Sequence, residues 1–360
     1  VVNGELLVNG CAIKDKNAFK RSVGYVQQQD VHIKLLTVWE SLEISCRLRG
    51  DGDLLYAEKV LDMLKLPREK LFKDLNPAEK KLLSIGVELV TKPSLLLFLD
   101  EPTSGLDSEA AVTIIKFLKK LTAQGQAVFC TIHQPSKNIF SYFDNVLLLR
   151  KGGECVYFGP RDQIYDYVKR HYSISYDKET ENPAELVLDA IGAGANSDSN
   201  IDWLSIWNSS KEKKDITDII SQLEDKALAD GTNYIEFLHK TPSYLTQLFI
   251  VTKRQYLSIT RDRSYMSSKI LLNVVAGLFI GFTFWKTKHN IIGLQNLIFT
   301  VFMALCISDP LINQLQAKAF EPKEVFITRE SKSNTYHWSV LLLSQLLVEI
   351  PLVLIGSAFL

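Results

Sequence analysis

Leu96-Leu97-Phe98-Leu99-Asp100-Glu101-Pro102-Thr103-Ser104-Gly105-Leu106-Asp107 decides the reading of this chain. Four apolar residues run straight into two acids. An unbroken apolar run of this length suits a strand of a parallel sheet covered on both faces. Asp100 then stands at a strand end, where a carboxylate can hold Mg2+ directly or through water. Glu101 can polarise a water that attacks a γ-phosphate. A strand ending in two acids is common by chance. The continuation Ser104-Gly105-Leu106-Asp107 is not.

Outward from this strand, the stretch Glu109 to Thr122 places Ile114, Ile115, Leu118 and Leu121 on one helical face. Ala127 to Ile132 is a second apolar strand run that ends at His133, and Val146 to Leu149 is a third. Strand, helix and strand in this order make a crossover unit. Residues 1–160 are therefore expected to form an α/β domain. Residues 161–242 are more polar and are expected to be an irregular linker region, with Gly192 to Ser199 as a flexible connector and Lys211 to Asp215 as an exposed helix start.

The rest of the chain turns apolar. Residues 243–268 are expected to be an amphipathic connecting helix, with Leu245, Leu248, Phe249, Tyr256 and Ile259 on one face and Lys253, Arg254, Arg261 and Arg263 as basic neighbours. Within 269–360 three runs, 270–285, 291–307 and 338–360, are candidates for membrane helices. Spanning needs about 20 mainly apolar residues, so the first two are short; three in a row still favour a membrane domain over buried core helices. Lys318, Lys323, Arg329 and Lys332 lie between the second and third runs, which puts that segment, and with it the α/β domain, on the cytosolic side. Glu349, inside the third run, is expected to face protein or a polar cavity.

Composition narrows the rest. Lys+Arg and Asp+Glu balance at 41 each among 360 residues, so the overall charge makes no case for nucleic acid. The cysteines at 11, 46, 130, 155 and 306 form no CxxC pair and do not cluster with histidines, so neither a zinc site nor a disulfide framework is expected. The first residues do not read as a signal peptide.

With these residues in place, the chain resembles the nucleotide-binding domain of ATP-binding-cassette transporters. The resemblance implies a P-loop NTPase-type α/β domain followed by an all-α transmembrane domain, with ATP and Mg2+ as ligands. It makes Asp100 the Mg2+-associated aspartate and Glu101 the catalytic base. Ser104, Gly105, Leu106 and Asp107 become the loop that touches an opposite domain. In Thr131-Ile132-His133-Gln134-Pro135-Ser136, His133 becomes the histidine that contacts the γ-phosphate. Gly24-Tyr25-Val26-Gln27-Gln28-Gln29-Asp30 resembles the glutamine loop, with Gln28 the preferred Mg2+ and coupling residue and Gln27 and Gln29 as rivals.

Two departures from the family pattern matter. No GxxxxGK[ST] phosphate loop is found; the family places it before a stretch such as Gly4 to Gly10, so truncation is the expected reason, and the fragment alone is expected to bind ATP poorly. The signature, LSGGQ in standard form, reads Leu75-Asn76-Pro77-Ala78-Glu79 here. Pro77 has no N–H and Ala78 bars the close approach a glycine permits, so this signature is unfit to complete a hydrolytic site.

That asymmetry resembles the second half of full-size fungal pleiotropic drug resistance transporters of the G-type class. Phe326-Ile327-Thr328-Arg329-Glu330 before Tyr336, Glu349-Ile350-Pro351 and Asn182-Pro183-Ala184-Glu185-Leu186 agree with it, and the resemblance spans essentially the whole chain. It implies ATP-driven movement of amphipathic lipids, sterols or drugs in a multi-pass protein, most often of the plasma membrane. It also implies a second nucleotide-binding domain as partner, the lipid bilayer, no nucleic acid, and a coupling role for the segment 319–332. The rival reading is a catalytically impaired regulatory or scaffold relative. A soluble cassette ATPase is opposed by residues 270–360.

Overall fold

The computed structural model describes residues 7–8, 10–13, 15–150, 152–172, 182–192, 201–229, 234–235, 241–286 and 290–357. In chain order its elements are β1 (Leu7–Val8), β2 (Cys11–Ile13), α1 (Lys16–Ser22), β3 (Val23–Val26), α2 (Val38–Arg49), α3 (Leu54–Leu64), α4 (Pro77–Leu89), β4 (Leu96–Asp100) and α5 (Ser108–Ala123). Next come β5 (Val128–Thr131), α6 (Lys137–Phe140), β6 (Asn145–Leu149), β7 (Cys155–Pro160), α7 (Arg161–His171), α8 (Pro183–Ala190), α9 (Trp203–Ser209), α10 (Lys211–Ala229) and β8 (Tyr234–Ile235). The last are α11 (Tyr244–Arg261), α12 (Arg263–Thr283), α13 (Ile291–Cys306), α14 (Ser308–Val325) and α15 (Trp338–Ser357). They fall into two compact units, one of residues 1–28 with 95–238, the other of residues 29–94 with 239–360.

In the first unit β3, β4 and β5 form a parallel sheet. Its register sets Val26 opposite Leu99 and Asp100 opposite Thr131. Burial along β4 alternates, with Leu97 and Leu99 buried and Leu96 and Phe98 only partly so. The two-sided cover expected of this strand is thus one-sided among the described residues. Helix α5 buries Ile114, Ile115, Leu118 and Leu121, the face the spacing indicated.

The third expected strand does not join this sheet. Its run lies in β6, which pairs antiparallel with β7. Gly152 and Gly153, both at positive φ, turn the chain between them, and the Gly153 N–H bonds the Arg150 carbonyl at 3.0 Å. Glycine adopts that conformation without a Cβ penalty, and strands joined by so short a turn can only run antiparallel.

The stretch expected to be irregular is largely helical. Helices α7 to α10 occupy it, with Asn182 and Asp202 capping α8 and α9 through their side chains. Tyr157, Tyr167, Trp203 and Trp207 pack ring against ring in its core. Residues 193–199 of the expected connector, like residues 4–6 and 9 and residues 358–360, lie outside the described residues.

In the second unit α2 and α4 are clamped together. Arg49 donates to both Glu88 carboxylate oxygens at 2.7 and 2.8 Å, and Ser45 bonds the Val87 carbonyl. At Gly86 a Cβ would lie 2.4 Å from Leu64 Cδ1 of α3 and 3.2 Å from Leu42 Cδ2 of α2, so a larger residue there would push those side chains aside. Ile33, Leu36, Ile44 and Leu48 then pack with Ile250, Val251, Val325, Val340 and Leu341 in one apolar cluster.

Helix α11 is amphipathic, but its apolar positions divide. Leu245, Phe249 and Tyr256 are exposed, whereas Ile259 is buried and Leu248 packs at the cluster's edge. Arg254, one of the basic residues of this helix, is buried and paired with Glu330, to which Tyr336 also donates. A buried guanidinium requires such a partner. Arg261 is forked onto Glu40 at 2.5 and 2.6 Å.

Two helical stretches are long and apolar enough to cross a membrane, 263–283 and the continuous 291–330. The second apolar run coincides with α13, and the helical path continues past Asp309-Pro310 as α14, since proline is tolerated in the first turn of a helix. Helix α15 carries Pro351 within it and buries Glu349 against α12. Tyr265 donates to Glu349 at 2.6 Å and Lys269 pairs with its other oxygen. Among the described residues Glu349 thus faces protein, and its charge is met.

Candidate functional site

The sequence of β4 ends in two acids, and the sheet register fixes what lies beside them. Because Asp100 is opposite Thr131, the Thr131 hydroxyl donates to Asp100 Oδ1 at 2.8 Å. The same hydroxyl oxygen accepts the Glu101 N–H at 3.0 Å. From the other neighbour, the Tyr25 hydroxyl donates to Asp100 Oδ2 at 3.2 Å. Burial, then the adjacent Asp100 charge and this bond, push the Tyr25 phenol above its ordinary value and keep it a donor.

Glu101 sits at φ +46°, a conformation that costs a non-glycine residue about 1–3 kcal/mol and persists only where its surroundings impose it. The Thr131 hydroxyl and the Gln28 side chain are two of those constraints. Gln28 Nε2 donates to Glu101 Oε2 at 2.7 Å. Gln28, Asp100 and Glu101 are thus brought together, and among the described contacts Gln28 rather than Gln27 or Gln29 reaches the acids.

Past Glu101 the chain turns through Ser104, Gly105, Leu106 and Asp107. The Ser104 N–H bonds the Glu101 carbonyl at 3.0 Å, and Asp107 caps α5 by accepting from the Ala110 N–H at 2.8 Å. Ser104, Gly105 and Asp107 are exposed. His133 lies two residues beyond β5, exposed, and makes no described bond to either acid. Asn182 anchors the loop after it, donating to the Pro135 carbonyl at 2.9 Å.

The degenerate signature starts helix α4. Leu75 is buried, and Pro77 fills the first helical position. The Asn76 side chain accepts the Glu79 N–H at 2.8 Å, and Glu79 returns a bond to the Asn76 N–H at 2.9 Å. Lys70 pairs with Glu79 at 2.8 Å. A helix start normally offers its N–H groups to an anion. Here proline removes one of them and the Asn76 side chain takes another.

The oxygens at the end of β4 suit a hard cation. Mg2+ commonly takes one or two carboxylates and completes its sphere with phosphates and water. Asp100 supplies one carboxylate, and among the described residues no group of three metal-ligating His, Cys, Asp or Glu side chains competes for a cation. The donor set therefore fits Mg2+ brought in with a nucleotide.

Family profiles match three stretches of the chain. One described as ABC transporter covers residues 1–104, and two described as ABC-2 type transporter cover residues 246–360 and 133–205. Among curated relatives, the Saccharomyces cerevisiae ATP-dependent permease AUS1 is 58% identical over 371 residues, 99% of this chain and 27% of its own length. The ATP-dependent permease PDR11 of the same yeast is 53% identical, over 99% of this chain and 27% of its own length. Its protein SNQ2 is 43% identical, over 98% and 24%. The chain belongs to the ATP-binding-cassette transporters. It joins the nucleotide-binding domain of that family to an ABC-2 membrane domain, and it spans about a quarter of the length of the curated relatives it matches.

Two residues of this candidate site stood within the quoted motifs without a role, Tyr25 and Thr131. Thr131 carried a usable signal. In a parallel pair the last residue of the neighbouring strand lies beside the acid, and a threonine there can reach it.

Proposed function

We propose that the chain serves ATP-hydrolysis-driven transmembrane transport of amphipathic lipids, sterols or drugs, with Glu101 as general base and Asp100 as the Mg2+-associated carboxylate. The observation that carries the reading is the bracing of both acids by one hydroxyl, Thr131, beside a glutamine that reaches Glu101. Mg2+, when bound with ATP, supplies charge neutralisation at the phosphates. Glu101 accepts the proton of the attacking water, Gln28 holds the Glu101 carboxylate in place, and Thr131 fixes the distance between the acids. His133 contacts the γ-phosphate by resemblance. Ser104 to Asp107 meet the second nucleotide-binding domain, and the plasma membrane is the proposed location. The names of the similar permeases support the transport reading, and the long apolar helices support a bilayer as partner.

The self-capped start of α4 favours a second reading, a regulatory or scaffold relative with no turnover of its own. Fluorescent-sterol accumulation and ATP turnover, measured in cells and membranes carrying the transporter and its Glu101→Gln variant, separate the possibilities. Lost turnover with lowered accumulation supports ATP-driven uptake of sterol. Lost turnover with raised accumulation supports export. Unchanged turnover removes Glu101 from catalysis and leaves the scaffold reading.

A further inference from the structure

Within the second unit a buried histidine bridges the segment after α14 to helix α4. His32 is 6% exposed and lies against the Phe72 ring, centroids 4.8 Å apart. Arg329 Nη1 is 3.0 Å from His32 Nδ1. A guanidinium only donates, so Nδ1 must accept, and the proton of the neutral ring is on Nε2. That Nε2–H points at Ser84 Oγ, 2.9 Å away on α4. Ser84 in turn donates to Asp30 Oδ1 at 2.7 Å, and Lys81, also on α4 and almost fully buried, holds the same oxygen at 3.0 Å. With the Ser84 proton on the nearer Asp30 oxygen, and not on the Lys80 carbonyl 3.1 Å away, every bond in the series runs one way, from Arg329 through His32 and Ser84 to Asp30.

The ring works in this series only when uncharged. A protonated His32 would set an N–H against the guanidinium and lose its acceptor. Its surroundings hold it neutral: burial first, then the charges of Arg329 and Lys81, keep the imidazole well below its ordinary range. The same unit also packs apolar residues together, among them Ile33, Leu36 and Val325. Apolar surfaces resist separation but are not directional. Hydrogen bonds with a fixed donor and acceptor order set register as well.

We propose that His32, as a neutral Nε2–H imidazole, is a positioning residue of the transport cycle, passing the position of Arg329 in the segment 326–330 through Ser84 and Asp30 to the helix that begins with the degenerate signature. The inference rests on the proposed transport function and adds to it a route by which a movement of the 326–330 segment turns α4.

The test measures movement of a fluorescent sterol per ATP hydrolysed by the full-length transporter, with rhodamine 6G as the probe if the wild type does not move the sterol. His32→Phe keeps the ring on Phe72 and removes both hydrogen bonds; Arg329→Met removes the donor. Each is expected to lower the ratio about fivefold or more, within the usual range of coupling free energies, while the ATP KM stays within about twofold. Because the links act in series, the double variant is expected to lose no more than the worse single one, whereas independent packing defects would multiply. An unchanged ratio in His32→Phe, or multiplying losses in the double variant, overturns the proposal. If His32→Phe does not reach the membrane, Ser84→Ala in the same assay decides: a lowered ratio at unchanged KM supports the relay, and a wild-type ratio sinks it. Glu101→Gln runs alongside, so unchanged ATP turnover there indicts the transport reading and not His32.

Discussion

At the C-terminal end of β4, neighbouring strands give protons to a carboxylate; at the N-terminal end of α4, the helix consumes its own donors. The first arrangement takes Tyr25, Gln28 and Thr131 from other elements and sets them around Asp100 and Glu101. The second is local, Asn76 and Glu79 capping each other around Pro77 with nearby Lys70 paired to Glu79. A site that acts on a ligand collects side chains from distant parts of the sequence and holds one of them in a costly conformation, as Glu101 is held at positive φ. A helix start that serves only folding satisfies itself locally. By that criterion the end of β4 suits chemistry and the start of α4 suits stability.

The largest effect should come from breaking the chemical end. Glu101→Gln is expected to lower ATP turnover by about a hundredfold or more while ATP binding persists, as befits a lost general base. Steady-state turnover and nucleotide binding on the same preparation check it.

A smaller but more telling loss is expected at Thr131. Valine keeps the shape and removes both bonds, so Thr131→Val should cost about tenfold in kcat or more through misplaced acids, with little change in the ATP KM. Thr131→Ser keeps the hydroxyl and should stay within about threefold of wild type. Equal losses in both variants would mean that the strand, not the hydroxyl, sets the geometry.

At the signature end the comparison predicts a stability effect with turnover per folded molecule spared. Asn76→Ala removes the cap and should cost about 1 kcal/mol, read as a lowered Tm of the purified transporter. If turnover instead falls as steeply as in Thr131→Val, this helix start takes part in chemistry after all.

The smallest effect is a pH dependence of the same cap. Burial alone would raise the Glu79 carboxyl, but Lys70 and the Asn76 N–H outweigh it and hold the group below its ordinary range. A carboxyl lowered in the folded state contributes stability above its ordinary pKa of about 4.3 and loses it as the pH falls through the folded value. The Tm difference between wild type and Glu79→Gln should therefore shrink as the pH is lowered beneath that point.

Much of the first unit was legible because short-range pattern decided it. The apolar run before Asp100 and the spacing of Ile114, Ile115, Leu118 and Leu121 each name a strand or a helix face without reference to the rest of the chain. The β6 run was read as parallel because its own five residues cannot say which way a partner runs; Gly152 and Gly153 held that information. Helices α7 to α10 were hidden because a few large side chains carry their burial. Trp203 and Trp207 each cover area that would otherwise need several aliphatic residues, so a polar composition concealed a packed core. The site acids were legible as a motif, whereas Tyr25 and Thr131 become partners of Asp100 only once the strands are paired. The burial of Arg254 was hidden for a related reason. A charge on an amphipathic helix is exposed unless a distant counter-charge arrives, and Glu330 lies 76 residues away in sequence.

The apolar cluster that joins Ile33, Leu36, Ile44 and Leu48 to Ile250, Val251, Val325, Val340 and Leu341 has a consequence for how such proteins change over evolutionary time. Four of these side chains come from ahead of residue 49 and five from beyond residue 249. A recombination that joined the first part of one transporter to the membrane helices of another would put mismatched shapes into a single interior. Chimeras should therefore tolerate exchange only where both halves of that interior travel together. The heritable module here is a non-contiguous one, and inheritance should track the packed surface in preference to the order of the gene.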